Sequence, residues 1–192
     1  MHRVNKDLFP TGGTPAVAEF VDFALFFLVY AFCGWLLEFA YGSIAAGELT
    51  NKGFLHGPFS LIYGAGAIII LLTSDYIISS LRFNLLVSLS ITALLSVVPL
   101  TLLEYVIALV YEEAFGIKPW DYRSEAFNLH GRICLKYSLL WGLLAFILLA
   151  VVHPLVKYPL GAIRPGLKSV LVLFFLIYLA VDNYLSIRER IG

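Results

Sequence analysis

The sequence predicts an all-α integral membrane protein, a polytopic helical bundle of about five transmembrane helices. Of its 192 residues, 60% are apolar and only 14% are charged, against about 45–50% and about 25% in a typical soluble domain. The mean hydropathy is +0.89, and the apolar residues gather in long runs. A bilayer core takes about 20 apolar residues per helix. We therefore expect one membrane domain over residues 20–192, preceded by a polar tail over residues 1–19.

The first two apolar runs predict the first two spans. One extends from Phe20 to about Tyr41, with Asp22 near its start and Glu38 near its end. The next begins at Pro58 and reaches about Ser80, because proline is tolerated in the first turn of a helix, where its missing N–H costs nothing.

The three remaining runs predict the later spans. The third, Phe83 to about Tyr111, is long enough to tilt or kink and carries Glu104 in its last two turns. The fourth, Ile133–Val152, should end at His153-Pro154, since the residue before a proline is disfavoured in the helical region. The fifth, Leu167 to about Ile187, contains Asp182 and Asn183.

Charge and cysteine content exclude several classes of protein. The net charge is zero, so the chain lacks the basic surplus of a nucleic-acid binder and the self-repulsion of an acidic disordered chain. Cys33 and Cys134 lie in or beside apolar runs and imply no disulfide framework. The basic residues divide six against seven between the two sides of a five-span chain, so the positive-inside rule selects no orientation.

Three short motifs occur twice in the same order and suggest an internal repeat. Leu-Leu-Glu-aromatic ends the first and third runs, Leu-His-Gly follows in each loop, and Ser-Leu-aliphatic-aromatic-Gly opens the second and fourth runs. Two parallel hairpins, residues 20–80 and 83–153, would then place both loops on one side, with the terminal helix 167–187 outside the symmetry. The alternative is chance similarity between Leu-rich helices.

Glu38 and Glu104 are the first candidates for a functional site, because a carboxylate at mid-membrane costs about 2.5–3.5 kcal/mol. The alternative is that each lies one turn from its helix end and reaches the interface. Between the first two runs, residues 51–59 combine turn formers with apolar side chains and predict a re-entrant or interfacial segment packed in protein. This segment contributes Asn51 and His56 as candidates, although its glycines could simply close a tight turn.

The loop between the third and fourth runs supplies the other candidates. Trp120, Asp121 and Tyr122 place a carboxylate between two amphipathic rings, which could be interfacial anchors or a ligand cage. Asn128, His130 and Arg132 add an amide, an imidazole and a guanidinium, and we expect an ion pair between Asp121 and Arg132. His56 and His130 could move protons or bind a ligand, or be hydrogen-bonded loop residues. Asp75, Lys136 and Asp182 should reach the interface from span ends.

Familiar catalytic signatures are missing from the sequence. It contains no Gly-x-x-x-x-Gly-Lys-Ser/Thr phosphate loop, no His-Glu-x-x-His, no Gly-x-Ser-x-Gly and no Cys-x-x-Cys. We expect no metal and no cofactor. If nucleotide drives this protein, a separate subunit must hydrolyse it.

Several segments together resemble the Putative ABC-transporter type IV (CmpB-like) membrane family over about Phe27 to Pro154. The segments are Gly34–Glu38, Asn51–Phe59 with Ile62–Gly64, Leu103–Tyr105, Trp120–Tyr122, and Phe127–Ile133 leading to Ser138–Gly142. The resemblance implies a permease-like, multi-pass protein of a bacterial cytoplasmic membrane.

Three functions remain open at this point. A transport subunit would use the lipid-embedded carboxylates, pair with a nucleotide-binding subunit, and need at least a homodimer to enclose a pathway. A membrane enzyme acting on a lipid or lipid-linked substrate would use Glu38 or Glu104 as general base and Arg132 to hold a phosphate or carboxylate. A scaffold without substrate would use these residues only for stability.

Overall fold

The structure, a computed structural model, describes residues 16–50, 53–80 and 83–191. Helices dominate it, and a two-stranded antiparallel hairpin precedes the fourth span. The elements are α1 (Ala16–Ala46), α2 (Leu61–Ser80), α3 (Leu85–Phe115), β1 (Asn128–Leu129), β2 (Ile133–Cys134), α4 (Leu135–Ile147), the π-helical turn π1 (Leu148–Val152), α5 (His153–Gly161) and α6 (Pro165–Ile191).

Five helical segments are long and apolar enough to cross a membrane, which confirms the predicted five-helix membrane bundle. α4, π1 and α5 run on without a break and together form the fourth span. The first four spans pack in chain order, each against the next, and α6 packs on α1. α1 therefore lies between α2 and α6, the only spans that it contacts along a substantial length in the described part of the chain.

The first and third helices are longer than the apolar runs predict. α1 begins at Ala16, inside the predicted polar tail, and ends where Gly47 adopts a left-handed φ of 73° and donates its N–H to Ser43 O at 2.9 Å. α3 ends in the same way at Gly116, with φ of 67°. Left-handed glycines end helices because they redirect the chain while satisfying the last carbonyls. The residues that lengthen the two helices, 42–46 in α1 and 112–115 in α3, lie beyond the apolar runs.

The predicted end of the fourth span at His153-Pro154 is wrong. The helix continues to Gly161 through π1, and the His153 N–H donates to Leu148 O, five residues back. A π turn shifts the hydrogen-bond register by one residue, and Pro154 falls in the first turn after that shift. There its missing N–H breaks no helical bond.

The second span begins at Leu61 rather than at the predicted Pro58, because residues 53–60 fold back along α1. Leu55 and Phe59 are buried, and the Ser60 N–H donates to Ala31 O at 2.9 Å. Ala31 lies 15 residues before the end of α1, which is about 22 Å along the helix axis. We call residues 53–60 the inserted loop.

Two apolar clusters meet at α1. One joins α1, α2, α3 and the fourth span through residues such as Leu71, Leu100 and Trp141. The other joins α1, α6 and the inserted loop through residues such as Leu28 and Leu55. The inserted loop is therefore part of the core, and it fixes the cavity described next.

Candidate functional site

A cavity of about 450 Å³ lies where the inserted loop meets the long loop before α4. We call it the main cavity. α1 and α3 supply two of its walls through Glu38 and Tyr111, and the long loop supplies Trp120 and Tyr122. Its lining is mostly apolar and aromatic, a composition typical of small-molecule sites.

Glu38 borders the main cavity from the C-terminal half of α1. Its side chain is partly buried and hydrogen-bonds the side chain of Ser60, the last residue of the inserted loop. The residue therefore links α1 to the start of α2 while its carboxyl group faces the cavity lining.

Glu104 is almost fully buried on α3, with 3% of its surface exposed. The Tyr122 hydroxyl donates to Glu104 Oε1 at 2.9 Å, and Trp141 Nε1–H donates to Oε2 at 3.1 Å. Burial raises the pKa of Tyr122, and the Glu104 charge raises it further, so this hydroxyl stays a neutral donor. Both oxygens of a buried carboxyl group thus have a partner.

A smaller pocket of about 60 Å³ has both Glu38 and Glu104 in its walls, and we call it the inner pocket. The rings of Tyr63 and Trp141 also line it, with centroids 5.2 Å apart. The structure therefore brings the two candidate carboxylates to one place. They lie 8 and 11 residues before the ends of α1 and α3, so neither is one turn from its helix end.

The inner pocket lies beside the start of α2. The 20 residues of this helix measure about 30 Å, which matches the thickness of a hydrocarbon core. Tyr63, in the first turn of α2, lines the inner pocket, so the pocket lies at the level where α2 begins.

Arg132 does not share this pocket, and its predicted ion pair with Asp121 is wrong. Arg132 Nε donates to Glu112 Oε2 at 2.9 Å, and its Nη1 donates to the Tyr105 hydroxyl at 3.1 Å. Asp121 instead accepts from the Arg123 N–H at 3.0 Å and lies 3.7 Å from the Arg123 side chain. Arg132 pairs with Glu112 because the extra turn of α3 places Glu112 beside the guanidinium. Asp121 binds the Arg123 N–H because an aspartate side chain often accepts from the backbone N–H two residues later in the chain.

Trp120 separates the main cavity from the Arg132 side of the loop. Its Nε1–H donates to Arg132 O at 2.7 Å, and its ring lines the main cavity and the inner pocket as well as the pocket around Arg132. The indole is therefore fixed by the backbone and forms a rigid wall of the cavity.

Asn128 and His130 lie in the exposed hairpin, away from both carboxylates. Asn128 Nδ2 donates to Glu125 O at 2.9 Å, and its Oδ1 accepts from the Gly131 N–H at 3.1 Å. His130 adopts a left-handed φ of 56° and hydrogen-bonds the Tyr105 hydroxyl at 2.9 Å. They shape the long loop. Asn51, the remaining candidate, lies outside the described residues.

Asp182 of α6 is a site residue that the sequence interpretation missed. It is 6% exposed rather than reaching the interface as predicted, and it accepts from the backbone N–H of His56 at 3.1 Å and of Gly57 at 2.9 Å. A Cβ at Gly57 would lie 1.9 Å from the Tyr178 hydroxyl. Glycine is therefore required here for the loop backbone to approach α6.

His56 extends this contact along the same face of α6. Its Nδ1 is 2.8 Å from Ser186 Oγ, and its Nε2 is 2.5 Å from Glu189 Oε2. The hydrogen bond to Glu189 raises the pKa of His56, partial desolvation opposes the shift, and Asp182 adds to it. Asp182, Ser186 and Glu189 recur at spacings of four and three, which share one helix face. This spacing is the feature of the sequence that could have indicated a polar contact on α6.

Phe54 completes the docking of the inserted loop. Its ring lies 4.6 Å from the Tyr111 ring of α3, and Arg190 of α6 stacks over it at 4.6 Å. Within residues 16–50, 53–80 and 83–191, no group of three or more His, Cys, Asp or Glu side chains is arranged to hold a metal ion.

The model of one protein family, described as Putative ABC-transporter type IV, matches residues 25–187. The match includes most of α6, which the motif resemblance over Phe27 to Pro154 left out. No curated protein and no solved structure matches the chain.

Proposed function

Because this chain belongs to the Putative ABC-transporter type IV family, we propose that it is a permease subunit of an ABC-type transport system of the cytoplasmic membrane, with its solute site in the main cavity. The observation that carries the proposal is a cavity lined by both the inserted loop and the long loop before α4, with Glu38 in its wall. A scaffold without substrate has no need of a carboxylate in the wall of a largely apolar cavity, where its desolvation is costly.

The proposal requires partners. The sequence contains no Walker motif, so a separate nucleotide-binding subunit supplies ATP hydrolysis. Five spans also enclose too little space for a continuous pathway, and two copies of this chain would provide it. The interface between copies would involve the exposed apolar faces of the spans.

A cysteine-accessibility experiment tests coupling between ATP and the cavity. Ala45 lines the main cavity, whereas its neighbour Ile44 is 84% exposed on the outer surface of α1. Each is changed to cysteine in a Cys33→Ala/Cys134→Ala background. The rate of labelling by a charged methanethiosulfonate is then measured in membrane vesicles of the source organism.

We expect ATP with Mg²⁺ to change the labelling rate of Ala45→Cys at least threefold and to leave Ile44→Cys unaffected. ADP should have no effect, and purified chain without its partner should not respond to ATP. Equal rates at Ala45→Cys with ATP and with ADP, in vesicles that contain the native partner proteins, would contradict the permease assignment.

A further inference from the structure

The walls of the main cavity combine aromatic rings with one acidic side chain. Six aromatic side chains line it, and Glu38 is its one charged lining residue in the described part of the chain. The aromatic residues are Tyr41, Phe54, Phe59, Tyr111, Trp120 and Tyr122. Aromatic faces carry negative electrostatic potential, so the rings and the carboxylate favour the same sign of ligand charge.

The neighbouring basic side chains that the structure describes have partners of their own and do not line the main cavity. Arg132 and Lys118 both pair with Glu112, at 2.9 Å and 3.4 Å. Arg190 stacks on Phe54 and donates to its backbone oxygen at 3.2 Å, and it is not a lining residue. Lys52 lies outside the described residues, and the experiment below includes its charge.

We propose that the main cavity binds an amphipathic organic cation, with its positive group between Glu38 and the aromatic rings and its apolar body against the inserted loop. The volume of about 450 Å³ falls in the range of about 300–1,000 Å³ typical of small-molecule sites. A cation placed over an aromatic face is attracted to the negative potential of the ring.

This inference rests on the proposed function, since it names the class of solute, but its test needs no nucleotide. Tetraphenylphosphonium and tetraphenylborate have nearly the same size and shape and carry opposite charges. Binding of each ion to the purified full chain in detergent is measured by equilibrium dialysis, and quenching of tryptophan fluorescence reports on Trp120 in the cavity wall.

We expect saturable binding of tetraphenylphosphonium, at least tenfold weaker in Glu38→Gln, because a desolvated charge pair is lost. Glu48→Gln is the matched control: it removes the same charge from an exposed position near the end of α1 and should bind within twofold of wild type. Tetraphenylborate should bind at least tenfold more weakly than the cation. Trp120→Phe should abolish most of the quenching while dialysis still detects binding.

Two results would overturn the inference. One is equal binding of the phosphonium by wild type and Glu38→Gln, with both proteins folded by circular dichroism. The other is preferential binding of the borate that disappears in Lys52→Ala, which would make the cavity an anion site. Phosphonium binding without an ATP response at Ala45→Cys would leave the ligand class standing and remove the permease assignment. An ATP response without phosphonium binding would do the reverse.

Discussion

At the scale of single residues, hydrogen bonds hold two buried carboxyl groups in place. Glu104 accepts from Tyr122 and Trp141, and Asp182 accepts from the backbone of the inserted loop. No lysine or arginine hydrogen-bonds or pairs with either one among the contacts of the described residues. Neutral donors hold Glu104, whereas Asp182 also lies 3.3 Å from Nδ1 of His56.

Tyr122→Phe tests the support of Glu104. The change removes one donor to a buried carboxyl group and keeps the ring that stacks on Tyr137 at 4.6 Å. We expect a loss of about 1–3 kcal/mol in the free energy of unfolding, measured by denaturation in mixed detergent. Tyr158→Phe, at a tyrosine that is 79% exposed, should change it by less than about 0.5 kcal/mol. Equal losses in the two variants would refute the role of the hydroxyl.

The His56 contact predicts a pH dependence. Its pKa is raised by Glu189 above its ordinary value of 6.5, so the folded protein binds the proton more tightly than the unfolded chain does. The stabilisation is complete below about pH 6.5 and is lost as pH rises through the raised pKa. Arg188 lines the same surface pocket as His56, Asp182 and Glu189.

We therefore expect the melting temperature of wild type to fall between pH 6 and pH 8.5, and to fall less in His56→Gln. The other histidines are present in both proteins, so the difference isolates His56. Glu189→Gln should move the transition to lower pH. An identical pH profile for wild type and His56→Gln would show that the ion pair contributes no stability.

At the scale of elements, the close crossing of α1 and α2 determines where the inner pocket forms. A Cβ at Gly34 would lie 2.2 Å from the Cβ of Tyr63, in the first turn of α2. The absence of a side chain at Gly34 lets Tyr63 approach the two carboxylates. The inserted loop then follows α1 because α2 begins so deep in the bundle.

Gly34→Ala should force the two helices apart. We expect a loss of about 1–3 kcal/mol in the free energy of unfolding, as for other overpacked cores, together with weaker phosphonium binding. Gly166→Ala is the control, because nothing lies within 4 Å of its Cβ position and alanine favours a helix. It should leave the melting temperature unchanged or raise it. A melting temperature for Gly34→Ala equal to that of wild type would mean that α1 and α2 do not approach this closely.

At the scale of the whole molecule, α6 is attached at both of its ends. Near its C-terminus, Asp182 and Arg190 contact the inserted loop. Near its N-terminus, Lys168 Nζ lies 2.6 Å from Asp22 of α1, and both side chains are largely buried. This ion pair joins the first and last spans.

A double-mutant cycle on Asp22 and Lys168 tests that attachment. Asp22→Asn or Lys168→Met alone leaves a largely buried charge without its partner, and we expect each to cost about 3 kcal/mol in the free energy of unfolding. The double variant should cost clearly less than the sum of the two. Additive losses would mean that the two groups do not interact across the α1–α6 contact.

The sequence alone determined the number of spans, because the hydropathy of about 20 consecutive residues is enough to identify a helix that crosses a bilayer. It also singled out Glu38 and Glu104, since carboxylates are conspicuous in apolar runs. Helix ends were less predictable: α1 and α3 continue beyond their apolar runs, and a π turn carries the fourth span past Pro154.

Only the tertiary structure decided which groups meet. Arg132 had several carboxylates within reach in its own loop, and the length of α3 selected Glu112. Asp182 binds a backbone 125 residues away, and no local pattern contains that pairing. Burial of an apolar segment in lipid requires no particular partner elsewhere in the chain. A hydrogen bond requires two particular atoms within about 3 Å of each other, and only the packing of the helices brings those atoms together.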